Sequence, residues 1–226
     1  MTDSQSINVI SMRVTKDPSE RRNELIDIAE QLFIKKGYEH TAVSDIVNKA
    51  KVAQGTFYYY FKTKEEILDA ITDRYIALTV KRMQKIADEQ GPNAIDKLVN
   101  IFFFSSSFRY NRKSIMQYLH EDRNAHLHHK FEKKIPSGTV GPLSKIIQQG
   151  IDEGFFNTLY PIEAAYAFIG VTAMVLKGFD SSNHQSEEFL RKLSATFDFL
   201  ERIFGSEKGL IFHSYQEKIK GVKNHE

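Results

Sequence analysis

An all-α chain is predicted from three observations. Apolar residues recur at helical spacing (i, i+3, i+4, i+7) through most of the 226 residues. No stretch shows the period-two alternation of a half-buried strand, and glycine and proline punctuate the periodic segments. The pattern divides into a small N-terminal unit of three short helices and a larger helical unit. The expected boundaries are an arm over 1–17, the three-helix unit over 18–63, the larger unit over 64–205, and a partly helical tail over 206–226.

The elements follow in order. Residues up to Asp17 lack sustained periodicity. Pro18-Ser19-Glu20 opens the first helix, whose stripe is Leu25, Ile28, Ala29, Leu32 and Phe33, and Gly37 ends it after Lys35 and Lys36. Thr41 is the expected N-cap of a short second helix carrying Val43, Ile46, Val47 and Ala50. Lys51-Val52-Ala53 forms a turn, and Gln54–Phe61 a third helix of barely two turns. Thr63-x-x-Glu66 has the form of a capping box for a fourth helix with Ile67, Leu68, Ile71, Tyr75 and Leu78 on its stripe. Gly91-Pro92-Asn93 breaks the chain. Further helices are expected at about Ala94–Tyr110, Lys113–Lys134, Leu143–Glu153, Ile162–Phe179 and Glu187–Phe204, separated at Pro136, Gly138, Gly141, Pro142, Gly154 and Pro161. Past Gly205 one or two more amphipathic turns are expected.

Composition narrows the function classes. The chain is 41% hydrophobic and 27% charged, which is ordinary for a globular protein. A net charge of +2 is too small to predict nucleic-acid binding, so any such role rests on local clustering. The absence of cysteine excludes disulfides, thiol nucleophiles, iron–sulfur clusters and cysteine-based zinc sites. The N-terminus, with Asp3, Asn8, Arg13 and Lys16, lacks a signal-peptide core. The span-like stretch Ile162–Phe179 contains Glu163, Tyr166 and Lys177, which favours a core or interface helix over a lipid-facing one. A cytoplasmic location is expected. No phosphate loop, nucleophile elbow, His-Glu-x-x-His pair or paired carboxylates stand out, so no enzyme and no cofactor are expected.

Phe57-Tyr58-Tyr59-Tyr60-Phe61 is the most informative segment. On a helix Phe57 and Phe61 share a face, while Tyr58 and Tyr59 lie about 100° and 200° round. A three-helix unit has little core to offer them there. They belong either to an interface with the larger unit or along a DNA backbone, with hydroxyls on phosphate oxygens. Between Lys49 and Lys64 the chain has four lysines (49, 51, 62 and 64) and no acidic residue. That is the local cluster the net charge conceals.

The order Leu32-Phe33, Gly37-Tyr38, Thr41, Asp45-Ile46, Ala50, Val52, Gly55-Thr56-Phe57-Tyr58-Tyr59-Tyr60-Phe61 and Lys64-Glu65-Glu66-Ile67-Leu68 resembles the helix-turn-helix of the TetR family. The likeness covers about Arg21–Ala70. It departs from the common pattern at Lys51, where glycine is frequent, and at Tyr60, where histidine is. The resemblance implies a ligand-responsive repressor that binds a palindromic operator as a homodimer, one recognition helix per half-site. An activator or architectural regulator of the same fold, or a small helical enzyme, are the alternatives.

Carried onto this chain, the resemblance puts Gln54, Gly55, Thr56 and Tyr58 at base-facing positions. Tyr59, Tyr60 and Lys64 fall at phosphate-facing ones, with Thr41 and Val43 close by. The residue chemistry suits these roles. Glutamine pairs bidentately with adenine, worth about 1–3 kcal/mol of discrimination. Gly55 either lets the backbone approach the groove or relieves a tight start to the third helix. Thr56 either offers its methyl to a thymine or caps locally. Lys64 is either a phosphate contact at a helix N-terminus or an ordinary solvated lysine.

The resemblance also implies a dimerising, ligand-enclosing larger unit. Ala164, Ala167, Gly170, Val171 and Met174 form a small-residue strip, and Leu190, Leu193, Phe197, Leu200 and Phe204 an apolar stripe. Two such helices per subunit would make a four-helix bundle, with Ala167, Gly170, Val171, Met174, Leu193, Phe197 and Leu200 as the expected interface. Intrachain packing is the alternative. Three consecutive phenylalanines, 102–104, cannot all face one core line. Phe103, Phe104, Phe108, Met116, Tyr118, Leu119 and Phe168 are therefore candidates to line a cavity for an apolar or aromatic small molecule, unless they fill an aromatic core. His120, His126, His128 and His129 cluster near Glu121 and Asp122, but solvated histidines at helix ends are the commoner case. No metal is expected.

Overall fold

Helix α1 (Pro18–Lys36) starts where the sequence supplies both a proline at its first position and a cap: the Asp17 carboxylate accepts the Ser19 N–H at 2.8 Å. The computed structural model describes residues 16–111, 115, 125–176 and 186–223, the side chains of 106–111, 125–128, 131, 222 and 223 excepted. Most of the expected arm, and with it Met116, Tyr118, Leu119, His120 and the side chains of Phe108, His126 and His128, lies outside the described residues.

At Gly37, φ 86°, the chain leaves α1 and turns into α2 (Val43–Ala50). The N-cap of α2 is Ala42, not the expected Thr41. Thr41 is buried and donates its hydroxyl back to the Gly37 carbonyl at 2.8 Å, so the Asp45 carboxylate takes the Ala42 N–H at 3.1 Å instead. Helix α3 (Gln54–Tyr60) follows, with Phe61 extended at its end. Two turns are too short to be stable alone. Phe57 and Phe61, both buried, tie α3 to Leu25, Ala29, Phe33, Ile46 and Val47, each ring contributing on the order of 2 kcal/mol.

Helix α4 (Lys64–Asp88) belongs to two cores. Thr63 Oγ1 accepts the Glu66 N–H at 3.2 Å, while the Glu66 carboxylate reaches the Lys62 N–H at 2.6 Å, one residue earlier than a standard capping box. Its first half (Ile67, Leu68, Ile71, Tyr75) closes the N-terminal core, which Ile115 also enters. Its last turns (Met83, Ile86, Ala87) enter the larger one. Leu78, expected on the stripe, is exposed, because the buried line passes through Ile76 instead. Arg74 pairs with Asp27 and Glu30 of α1, and the Tyr75 hydroxyl donates to Glu30 at 2.9 Å.

The larger unit comprises α5 (Ala94–Asn111), α6 (Ala125–Asp152), α7 (Pro161–Val175), α8 (Glu187–Phe204) and α9 (Leu210–Lys223). Within the described residues, the last part of the expected Lys113–Lys134 helix runs on without a break into the expected Leu143–Glu153 helix. Helix α6 runs through Pro136, Gly138, Gly141 and Pro142, which the sequence presents as breaks. Packing overrides them. Gly138 lies so close to α4 that a Cβ there would stand 2.4 Å from a Val80 methyl, and Val140, Leu143, Ile146 and Ile147 are buried. Buried Lys97 holds the end of α4 to α6 by donating to the Ala87 carbonyl at 3.0 Å and to Gln149 Oε1 at 2.9 Å.

The tail is also more regular than expected. Helix α9 has 14 residues, and its N-terminus is capped by a distant group. The buried Glu201 carboxylate accepts the N–H groups of Gly209, Ile211 and Phe212 at 2.6, 2.9 and 3.1 Å. Leu193, Phe197 and Leu200, expected at an interface between copies, are spent in the chain's own core, with the Phe197 ring 5.0 Å from Phe102. Among the described residues there is no strand, and no helix long and apolar enough to cross a membrane.

Candidate nucleic-acid interface

The aromatic run on α3 splits by direction. Phe57 and Phe61 face the core, while Tyr59 is 74% exposed and Tyr58 44% exposed. Both are exposed, which speaks against the interface with the larger unit weighed for them from sequence. Their rings are nevertheless held. Tyr58 stands edge-on to Phe57 with centroids 5.5 Å apart, and Tyr59 edge-on to half-buried Tyr60 at 4.8 Å. The hydroxyls thus sit at the surface on rings that each pack edge-on against a neighbouring ring.

Gln54 and Gly55 are exposed at the first turn of α3, with Thr56 half-buried behind them. A Cβ built on Gly55 would meet nothing within 4 Å, and its φ is not left-handed. The fold itself therefore has no steric use for a glycine there, and the tight-start explanation falls away. What the missing side chain leaves is backbone open to an approaching molecule.

Lys64 is placed differently from a free surface lysine. Its ammonium donates to the carbonyls of Tyr38 at 3.0 Å and Thr41 at 3.1 Å, and lies 4.1 Å from the centre of the Tyr38 ring. It ties the α1–α2 loop to the start of α4, and one of its three N–H groups remains for another acceptor. The Tyr38 hydroxyl donates to Glu65 at 2.9 Å. Glu65 is held below the usual glutamate range first by its own backbone N–H, then, against burial, by the Thr63 and Tyr38 hydroxyls and the Lys64 charge.

The structure brings Gln54, Gly55, Thr56, Tyr58 and Tyr59 to one short helix, with Val43 half-buried at the start of α2. Thr41 does not join them as a side-chain contact, because its hydroxyl is turned inward. Sequence reasoning missed two features nearby: Tyr38 as the ring beneath Lys64, and exposed Arg22, whose guanidinium lies 5.0 Å from the centre of the Phe61 ring. The cation of Arg22 at the start of α1 was the available signal.

Of the residues weighed as cavity lining, Phe103, Phe104 and Phe168 have described side chains, and Phe103 and Phe168 both adjoin the larger core. Phe103 stacks on Tyr215 at 5.0 Å, Phe168 lies parallel to Phe204 at 6.5 Å, and Phe104 has Arg82 6.0 Å from its ring centre. Burial raises the Tyr215 hydroxyl above its ordinary range. His129 is exposed.

Known proteins carry the same pattern. Residues 25–71 match the family described as "Bacterial regulatory proteins, tetR family". The chain is 30% identical over 134 residues to the fatty acid metabolism regulator protein of Bacillus subtilis, covering 58% of this chain and 68% of that protein. It is 26% identical over 170 residues to the HTH-type transcriptional repressor KstR2 of Mycobacterium tuberculosis, covering 72% and 82%. The crystal structure of FadR from Bacillus subtilis in complex with stearoyl-CoA superposes with a TM-score of 0.58 at 24% identity, over 80% of this chain and 97% of that one. Two buried phenylalanines that anchor a recognition-type helix, a lysine-tied loop behind it and these likenesses agree: the chain belongs to the TetR family of transcriptional regulators.

Proposed function

We propose that the chain represses transcription as a homodimer on a palindromic operator, one α3 in each major-groove half-site, and that an apolar or aromatic small molecule releases it. The observation that carries the DNA reading is α3 itself. Phe57 and Phe61 are buried while Gln54, open Gly55 and two ring-braced tyrosines face outward. Gln54 to Thr56 and Tyr58 are assigned to base edges, and Tyr59, Tyr60 and the remaining N–H of Lys64 to phosphates. A regulator that reads chromosomal sites in this way works in the cytoplasm.

The dimer reading is supported by an exposed apolar face. Ile162, Tyr166 and Met174 on α7 and Leu190 and Phe199 on α8 are all exposed. Ile162, Tyr166 and Gly170 follow at four-residue steps, and a Cβ on Gly170 would meet nothing within 4 Å, so a second helix can approach closely there. Ala167, Gly170, Val171 and Met174 remain in the proposed interface.

The effector class follows the relatives, one of which is named for fatty acid metabolism and one solved with stearoyl-CoA. Half-buried Phe103 and Phe104 of α5 are its candidate contacts among the described side chains. Selection of bound duplexes from a random library, followed by competition with long-chain acyl-CoA, free fatty acids and planar aromatics, tests the whole reading. A palindromic site released by one of these classes supports it. Recovery of no preferred sequence would defeat it.

A further inference from the structure

Lys51 closes α2 in the left-handed conformation, φ 54° and ψ 45°, and is the only residue other than glycine with positive φ among the described residues. The turn requires that backbone. The Lys51 N–H bonds to the Asn48 carbonyl at 3.2 Å and the Val52 N–H to Val47 at 3.1 Å, which reverses the chain and brings half-buried Val52 onto the N-terminal core. Glycine adopts this conformation without strain, whereas a lysine Cβ crowds the carbonyl. A lysine here costs stability, and strained side chains of this kind persist where they have work to do.

The ammonium is free for such work. Lys49 donates to Gln31 at 2.8 Å, and Lys64 is committed to two carbonyls, but exposed Lys51 has no hydrogen bond, ion pair or ring contact among the described residues. It stands three residues before Gln54, inside a stretch with no Asp or Glu between Asp45 and Glu65. We propose that Lys51 is a DNA-backbone contact: a phosphodiester at the edge of the groove that α3 enters, held by a charge in the turn rather than on either helix. The proposal rests on the DNA reading of α3 and adds a residue to it.

The test compares wild type, Lys51→Gly, Lys51→Gln and Tyr59→Ala on the duplex selected above, by fluorescence anisotropy across a KCl series and by thermal melting. Lys51→Gly raises Tm by about 2–4 °C and weakens binding about 3–10-fold near physiological salt. Each lost phosphate contact flattens the slope of log K against log salt by about 0.9, so by roughly 2 in a dimer. Lys51→Gln gives the same loss of affinity and slope without the gain in Tm. Wild-type affinity and slope in Lys51→Gln overturn the proposal, whether or not Lys51→Gly binds weakly, because the effect is then conformational. If Tyr59→Ala has meanwhile lost affinity, the α3 reading survives that result. If Tyr59→Ala also binds like wild type, that reading falls and this proposal with it.

Discussion

Lys64 and Tyr38 are joined twice: the ammonium donates to the Tyr38 carbonyl at 3.0 Å and lies 4.1 Å from the centre of the Tyr38 ring. The first residue of α4 is thereby fixed to the loop that precedes α2, across 26 positions of sequence. The structural duty of Lys64 and its proposed phosphate contact are inseparable in the alanine variant. Lys64→Ala is expected to lower stability by about 1–2 kcal/mol, from two lost charged hydrogen bonds in a half-buried site, and to weaken binding equally on all sequences. Tyr38→Phe keeps the ring and carbonyl but loses the bond to Glu65, and is expected to cost no more than about 1 kcal/mol with little change in affinity. Urea denaturation beside anisotropy checks both.

Gly55 should trade stability against function. With no steric demand on a Cβ, Gly55→Ala is expected to stabilise the folded chain by up to about 1 kcal/mol, since alanine favours a helix over glycine. The added methyl lies where DNA is proposed to approach, so affinity should fall at least about tenfold. A stabilised variant with unchanged affinity would remove Gly55 from the interface.

The α4–α6 contact should respond to acid. Lys130 pairs with Asp69 at 2.5 Å and Asp73 at 2.8 Å, and Lys134 with Asp73 at 3.1 Å. Burial pushes the Asp73 carboxyl up, but hydrogen bonds to Lys130 and Lys134 outweigh it, so it lies below its ordinary 3.8. A carboxylate depressed on folding contributes stability above its unfolded value and loses it as pH falls through the folded one. Asp73→Asn is therefore expected to cost about 0.5–1 kcal/mol at pH 7, discounted for its exposure. That difference from wild type should narrow as the pH is lowered from 4 to 3, as followed by urea titration.

Helices α7 and α8 offer a separation of roles. Gly170→Arg places a charge on the exposed face and is expected to yield a folded monomer by light scattering, with unchanged helical content. Leu200→Ala opens the core instead, and is expected to cost about 2–5 kcal/mol. Gly170→Arg remaining dimeric would relocate the interface.

How much of this was legible in the sequence depended on the range of the interactions. Leu25, Ala29, Phe33, Phe57 and Phe61 were readable because helical periodicity is local, and so was the outward turn of Tyr58 and Tyr59. Thr41 was misread because its hydroxyl donates back to the Gly37 carbonyl and leaves Ala42 as the N-cap, and Leu193, Phe197 and Leu200 because an apolar stripe does not say whose core it fills. Helix α6 runs through Pro136 and Pro142 on the strength of packing against α4. Helix α9 owes its first turn to Glu201, eight residues before Gly209. Neither cause has a local signature.

Whether the outward face of α3 reads DNA is decided base pair by base pair. The affinities of wild type, Gln54→Ala and Tyr59→Ala are compared on the selected operator and on every single-base-pair variant of one half-site. Gln54→Ala is expected to flatten preference at one base pair, losing about 1–3 kcal/mol of discrimination there, while Tyr59→Ala weakens all duplexes alike. Folded variants that both match wild type on every duplex would contradict the DNA reading of α3.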